Sequence, residues 1–126
     1  MDEGKTVVLA VDDNLQQLSE FKSMLVPQYD LRVVKAASEA VSFLVKSSAD
    51  IILLDIEMPN VNGFEFLNDV RKIPSYATTP IIIISGNSGA DFIAKARNTS
   101  ASDVLIKPVR PDMLTAAIEK ALANKK

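Results

Sequence analysis

Asp12, Asp13, Asp55, Ser85 and Lys107 each stand at the end of a short apolar run, and their side chains are the types from which a reactive site can be built. The runs are Val7–Val11 before Asp12-Asp13-Asn14, Ile51–Leu54 before Asp55, Ile81–Ile84 before Ser85-Gly86, and Val104–Ile106 before Lys107-Pro108. The 126 residues include no cysteine and no histidine, which excludes thiolate nucleophiles, disulfides, zinc sites of Cys or His, and imidazole bases. Chemistry must therefore run on carboxylates, hydroxyls and amines. Three carboxylates held close together repel, and proton uptake or a bound cation relieves the repulsion. With oxygen donors alone the expected cation is a hard one, Mg²⁺ or Mn²⁺, which takes one or two protein carboxylates and accepts phosphate oxygens. A carboxylate beside such an ion can attack phosphorus and form an acyl phosphate, and Asp55 is the central candidate. Lys107 as a cation and Ser85 as a hydroxyl would then face the charge on the phosphoryl oxygens. At ~4 Å and an effective dielectric near 20, one such charge pair contributes about 4 kcal/mol before desolvation. Gly86 would leave the approach to Asp55 uncrowded.

These residues act together only if the fold brings them to one edge. Apolar runs rich in branched residues recur at Thr6–Val11, Leu31–Val34, Ile51–Leu54, Ile81–Ile84 and Val104–Ile106, which suits five strands buried on both faces. Helical spacing follows each: Leu15/Leu18/Phe21/Leu25, Ala40/Val41/Leu44, Phe66/Leu67/Val70, Phe92/Ile93/Ala96 and Leu114/Ala117/Ile118/Ala121. Strict alternation predicts right-handed crossovers, a five-stranded parallel sheet and a three-layer α/β sandwich of the (βα)5 type. Pro27, Pro59, Pro74, Pro80 and Pro108 fall outside element interiors, and Pro111 with Asp112 opens the last helix. In such sheets ligands sit beyond the carboxyl ends of the strands, where the polar residues fall. One domain spanning 1–126 is expected, its core at about 6–122. The net charge of −2, from 14 basic and 16 acidic residues, gives no global field for nucleic acid or anionic membranes. The acidic start Met1-Asp2-Glu3 and the lack of a long apolar run point to a cytoplasmic protein whose partners are proteins.

Each residue alone has a plainer explanation. Asp12, Asp13 and Asn14 can cap the following helix, Asp55 can open the Met58-Pro59-Asn60 turn, Ser85–Gly89 has ordinary loop composition, and Lys107 can reach solvent from a strand end. The combination of three acids, a hydroxyl and an amine at strand ends is what generic caps and turns do not require.

The segments Val11-Asp12-Asp13, Leu54-Asp55-Ile56-Glu57-Met58-Pro59-Asn60, Asn62-Gly63, Ile84-Ser85-Gly86 and Ile106-Lys107-Pro108 resemble the motifs of the response-regulator receiver domain, in the family's order, from about Thr6 to about Leu122. The resemblance implies a CheY-like, flavodoxin-like strand order 2-1-3-4-5. It implies that Asp55 accepts a phosphoryl group from a sensor histidine kinase or a histidine phosphotransfer protein. Asp12, Asp13, Asp55 and the backbone carbonyl of Glu57 would hold Mg²⁺, and Lys107 would pair with the phosphoryl group beside a cis bond to Pro108. Ser85 stands for the hydroxyl that moves toward the phosphoryl oxygen, and Gly86 for the small residue after it. Output would pass to a downstream protein by protein contacts, with no turnover of an external substrate, no direct nucleic acid and no membrane.

Two positions depart from the family pattern. Val104 stands where an aromatic ring is common, and a β-branched side chain cannot swing as a ring does. Ser100 stands where glycine often closes the fourth helix, so Asn98 or a longer turn is expected to substitute. Glu57 and Asn87 occupy variable places beside the site. Three alternatives share this architecture: a pseudo-receiver that acts without phosphorylation, a phosphatase with an aspartyl nucleophile, and a nucleotide or flavin binder. The phosphatase spacing of two acids and its substrate-binding insert are missing, and Gly4, Gly63, Gly86 and Gly89 form neither a dinucleotide loop nor a P-loop.

Overall fold

The computed structural model describes residues 4–58 and 62–124, so Pro59 and Asn60 of the turn after Asp55, Met1–Glu3 and the last two lysines lie outside the described residues. Among the described residues β1 (Val7–Val11), β2 (Asp30–Val34), β3 (Ile51–Asp55), β4 (Ile81–Ser85) and β5 (Asp103–Ile106) alternate with α1 (Leu15–Leu25), α2 (Ala37–Lys46), α3 (Gly63–Arg71), α4 (Ala90–Arg97) and α5 (Pro111–Ala123). A short 3₁₀ turn, Pro74–Tyr76, precedes β4. All strand pairs are parallel, in the order β2-β1-β3-β4-β5. The expected α/β sandwich and its strand order are thus present.

The two-residue period of the strands splits the core into two layers. Leu9, Val11, Ile52, Leu54, Ile81 and Ile83 pack with Ala40 and Leu44 of α2, Phe66, Leu67 and Val70 of α3, and Ala96 of α4. Val8, Ala10, Ile51, Leu53, Ile82 and Ile84 pack with Leu18, Phe21 and Leu25 of α1 and Leu114, Ala117, Ile118 and Ala121 of α5. Each fully buried Leu or Ile stabilises by roughly 1.5–3 kcal/mol, and these layers hold the sheet rigid beneath the loops.

β2 departs from the expectation of strands buried on both faces. It is an edge strand paired only with β1, and Arg32 and Val33 are exposed. The Leu-Arg-Val-Val run reads as apolar because three of its four residues are, yet two of the strand's five residues are exposed and none is fully buried.

The amino ends of the strands are tied by fixed polar links. Asp50 Oδ2 accepts from the Val7 N–H at 2.8 Å. The buried Tyr76 hydroxyl lies 2.9 Å from the carbonyl oxygens of both Leu44 and Ser47, at the end of α2. Arg71 Nη1 donates to the carbonyls of Tyr76 and Thr79, Nη2 to that of Ser100 at 3.0 Å, and Nε to the Ser100 hydroxyl at 2.8 Å. That last bond gives the serine hydroxyl at position 100 a partner. α4 ends at Asn98 without the left-handed turn expected there: its φ of −84° and ψ of 2° are open to any residue, so no glycine is needed.

Candidate functional site

Register assembles the carboxyl edge. Val11 pairs with Leu54 on β3, Asp55 with Ile84 on β4, and Ser85 with Ile106 on β5, so Asp12, Asp55, Ser85 and Lys107 emerge side by side. The helix-cap reading holds for Asn14 alone: its Oδ1 accepts from the Gln17 N–H at 3.0 Å. Asp12 is fully buried, and its Oδ1 accepts from the Asn14 N–H at 2.9 Å. Asp12 Oδ2 is buried with no hydrogen-bond partner. Asp13 is exposed at the rim. Asp55 is buried, with 5% exposure, so it is not a solvated turn residue. Its Oδ1 accepts from the Glu57 N–H at 3.0 Å, which keeps the backbone of residue 57 beside the acids.

Lys107 Nζ lies 3.6 Å from Asp55 Oδ2 and 4.0 Å from Asp12 Oδ2. Both distances are too long for an N–H···O bond, so the ammonium acts on the two acids as a charge. The Lys107–Pro108 bond is cis, as the family resemblance implies. Ser85 is fully buried, its Oγ accepts from the Asn87 N–H at 2.9 Å, and its own proton is left to donate. Val104 is buried in the layer that carries α2 and α3, with no ring at that position.

Asp12, Asp13 and Asp55 each offer a carboxylate oxygen, and these atoms all lie within 4.8 Å of one another. Three formal negative charges face one ammonium, an excess of two. Burial, above all, pushes the Asp12 carboxyl from 3.8 up to about 6; the Asn14 N–H works against this, Asp55 adds to it by contact and by charge, and Lys107 opposes it. The unpartnered Asp12 oxygen and the all-oxygen donor set fit a hard divalent cation.

Two features escaped the sequence reading. Glu57 Oε1 accepts from the Gly86 N–H at 2.8 Å, joining the loop after β3 to the loop after β4. An added Cβ at Gly86 would meet only that oxygen, at 3.5 Å, an ordinary contact, so the glycine is not demanded by packing in this state. Gly63 is different, since a Cβ there would sit 2.5 Å from Ile56 Cδ1 and 2.8 Å from Ile56 Cα. The start of α3 therefore rests directly on the residue after Asp55. Pairwise spacing carries no signal for either contact.

The family model for the response regulator receiver domain matches residues 8–119. The CAI-1 autoinducer sensor kinase/phosphatase CqsS of Vibrio cholerae is 34% identical over 110 residues, covering 85% of this chain and 16% of that protein. The protein-glutamate methylesterase/protein-glutamine glutaminase 1 of Myxococcus xanthus is 34% identical over 111 residues, covering 86% of this chain and 31% of that protein. The chain thus spans between a sixth and a third of the length of these curated relatives. Among solved structures, the chemotaxis response regulator CheY4 of Vibrio cholerae matches with a TM-score of 0.85 and 27% identity, over 93% of this chain and 98% of that one. A receiver domain protein from Clostridium thermocellum matches with a TM-score of 0.84 and 25% identity, over 94% of both chains.

Proposed function

The chain belongs to the response regulator receiver family of two-component signalling, and from that premise we propose that Asp55 accepts a phosphoryl group in a reaction that depends on a divalent cation. The observation that carries this reading is the burial of Asp55 between Lys107 Nζ and the oxygens of Asp12 and Asp13. One carboxylate oxygen of Asp55 attacks the phosphorus of a phosphohistidine; the new O–P bond forms as the P–N bond breaks, and the imidazole leaves with the electron pair. Asp12, Asp13, Asp55 and the Glu57 carbonyl would hold Mg²⁺ or Mn²⁺, which when bound neutralises charge on the transferring oxygens. Lys107 moves from its pairing with the two acids to the phosphoryl oxygens. Ser85 donates its free proton to the same group.

The donor is a sensor histidine kinase or a histidine phosphotransfer protein in the cytoplasm, and the output is a protein contact without turnover of an external substrate. Among the described residues no helix is long and apolar enough to cross a membrane. A pseudo-receiver has no need of the full set of acids with Lys107, which favours the working site. The test is intact mass after incubation with Mg²⁺ and acetyl phosphate. A single phosphoryl adduct is expected on the wild-type chain and none with Asp55→Asn or without metal. An adduct of equal yield on Asp55→Asn, at the same peptide, refutes the assignment.

A further inference from the structure

β2 closes one edge of the sheet, and among the described residues no strand pairs with its outer side. Its inner side is taken up by β1: the Asp30 N–H donates to the Thr6 carbonyl at 2.9 Å, and the Val34 carbonyl accepts from the Asp12 N–H at 3.1 Å. In a parallel pair alternate residues turn toward the partner, so the backbone groups of Asp30, Arg32 and Val34 face β1 while those of Leu31 and Val33 face outward. β5, the other edge strand, has Val104 and Leu105 buried at its centre, whereas β2 has no buried residue and Val33 is 48% exposed. On the α1 face, Leu31 and Val33 line a groove with Leu18 and Val26. On the opposite face Arg32 Nε lies 2.9 Å from Asp30 Oδ1. We propose that two copies of this chain pair antiparallel along β2, about a two-fold axis at Leu31, and join their two five-stranded sheets into one.

An open edge with outward amides is a template for another strand, and charge selects the occupant and the register. Facing residues of an antiparallel pair turn their amides both toward the partner or both away, which leaves two-fold registers centred on Leu31, Arg32 or Val33 for the inner part of the strand. Centring on Arg32 sets that guanidinium directly against its own copy, and like charges directly opposite destabilise. Centring on Val33 sets Leu31 against Lys35, whose N–H already donates to Glu39 Oε1 at 2.9 Å. Centring on Leu31 sets each Asp30 opposite Arg32 of the second copy, twice over, on one face. On the other face Leu31 meets Leu31 and Val33 meets Tyr29, so apolar surface of the second copy covers the exposed Val33 beside α1. The two Leu31 residues exchange both of their N–H···O bonds. Strands of five residues make a short seam beside the ~800 Å² per partner of a stable complex, so the association is weak, with a dissociation constant on the order of 0.1–1 mM. β1 separates the seam from Asp55 on β3, and the pairing does not depend on the phosphoacceptor reading.

The test is sedimentation velocity of the full chain, without phosphodonor, from about 10 µM to about 1 mM. Wild type is expected to pass from monomer toward dimer across that range. Its Leu31 amide should exchange about twofold or more slowly at the upper end, while that of Arg32, which faces β1, stays unchanged. Asp30→Arg and Arg32→Asp each set like charges opposite one another twice, and each should weaken association by about tenfold or more. An equimolar mixture of these two variants restores opposite pairs across the seam and should recover association, as should the double variant Asp30→Arg/Arg32→Asp. Val33→Lys places a charge on the other face of the open edge and should abolish association, with circular dichroism checking that each variant keeps its fold. A wild type that stays monomeric at about 1 mM overturns the self-pairing and leaves the edge to a strand of another protein. Association that survives in both charge variants and in Val33→Lys places the contact elsewhere and overturns it as well. A mixture that associates no better than either variant alone overturns the register on Leu31.

Discussion

The proton affinity of buried Asp12 is raised, and this should appear as a fall in the stability of the metal-free protein with rising pH. Burial moves its carboxyl from 3.8 to about 6, a rise of about two pH units. At about 1.4 kcal/mol per unit the folded state is penalised by on the order of 3 kcal/mol once Asp12 ionises. The sign follows from proton counting. Between about pH 4 and pH 6 the folded chain keeps a proton that the unfolded chain has already shed, so raising the pH draws the equilibrium toward the unfolded state. Below that window both states are protonated and the penalty is absent; above it the penalty is complete. Half-buried Asp30 and exposed Asp112 are shifted the other way by Arg32 and Arg110, and they are common to any Asp12 variant and cancel in a comparison. The assay is urea unfolding in the presence of EDTA from about pH 4 to about pH 7, for wild type and Asp12→Asn. The stability of wild type relative to Asp12→Asn should decline by roughly 2–3 kcal/mol across that range. Mg²⁺ should stabilise the wild type near pH 7 and have little effect near pH 4, where the proton competes for the same oxygens. A flat or rising difference, or equal stabilisation by Mg²⁺ at both ends, refutes the account of Asp12 as a strained acid relieved by a cation.

Lys107→Ala removes the ammonium that sits 3.6 Å from Asp55 and 4.0 Å from Asp12, so Mg²⁺ binding should persist and tighten, by about tenfold; calorimetric titration checks this. Tyr76→Phe leaves the Leu44 and Ser47 carbonyls without their shared donor and should cost about 1–3 kcal/mol in denaturant unfolding, with no change in Mg²⁺ affinity. Gly63→Ala forces a methyl against Ile56 and should cost about 1–3 kcal/mol by thermal melting, and it should also slow adduct formation because the displaced residue adjoins Asp55.

Much of this molecule is legible from its sequence because strand and helix periods differ sharply. Runs such as Ile81–Ile84 suit strands, and the acids, the serine and the lysine fall at the ends of such runs. β2 misleads for the same reason: residue type alone does not tell an edge strand from a central one, and Leu31 to Val34 has the composition of the latter. The role of each cap was also hidden, since Asp12, Asp13 and Asn14 have similar capping chemistry and only the approach of β3 decides that Asp12 turns inward. Arg71 reaches Ser100 across 29 residues, and Glu57 reaches Gly86 across another 29. Contacts of that kind arise from tertiary geometry and leave no local pattern.

The two rims of the sheet are built to different mechanical standards. At the amino rim Arg71, Tyr76 and Asp50 hold strand beginnings and helix ends in multiple bonds, several of them to backbone carbonyls. At the opposite rim one carboxylate bridges two loops. A disturbance of a single side chain there can be large in amplitude and cheap in energy without slipping the register of any strand. Polar ties are thus dense at the base of the sheet and sparse at the edge that carries the acids.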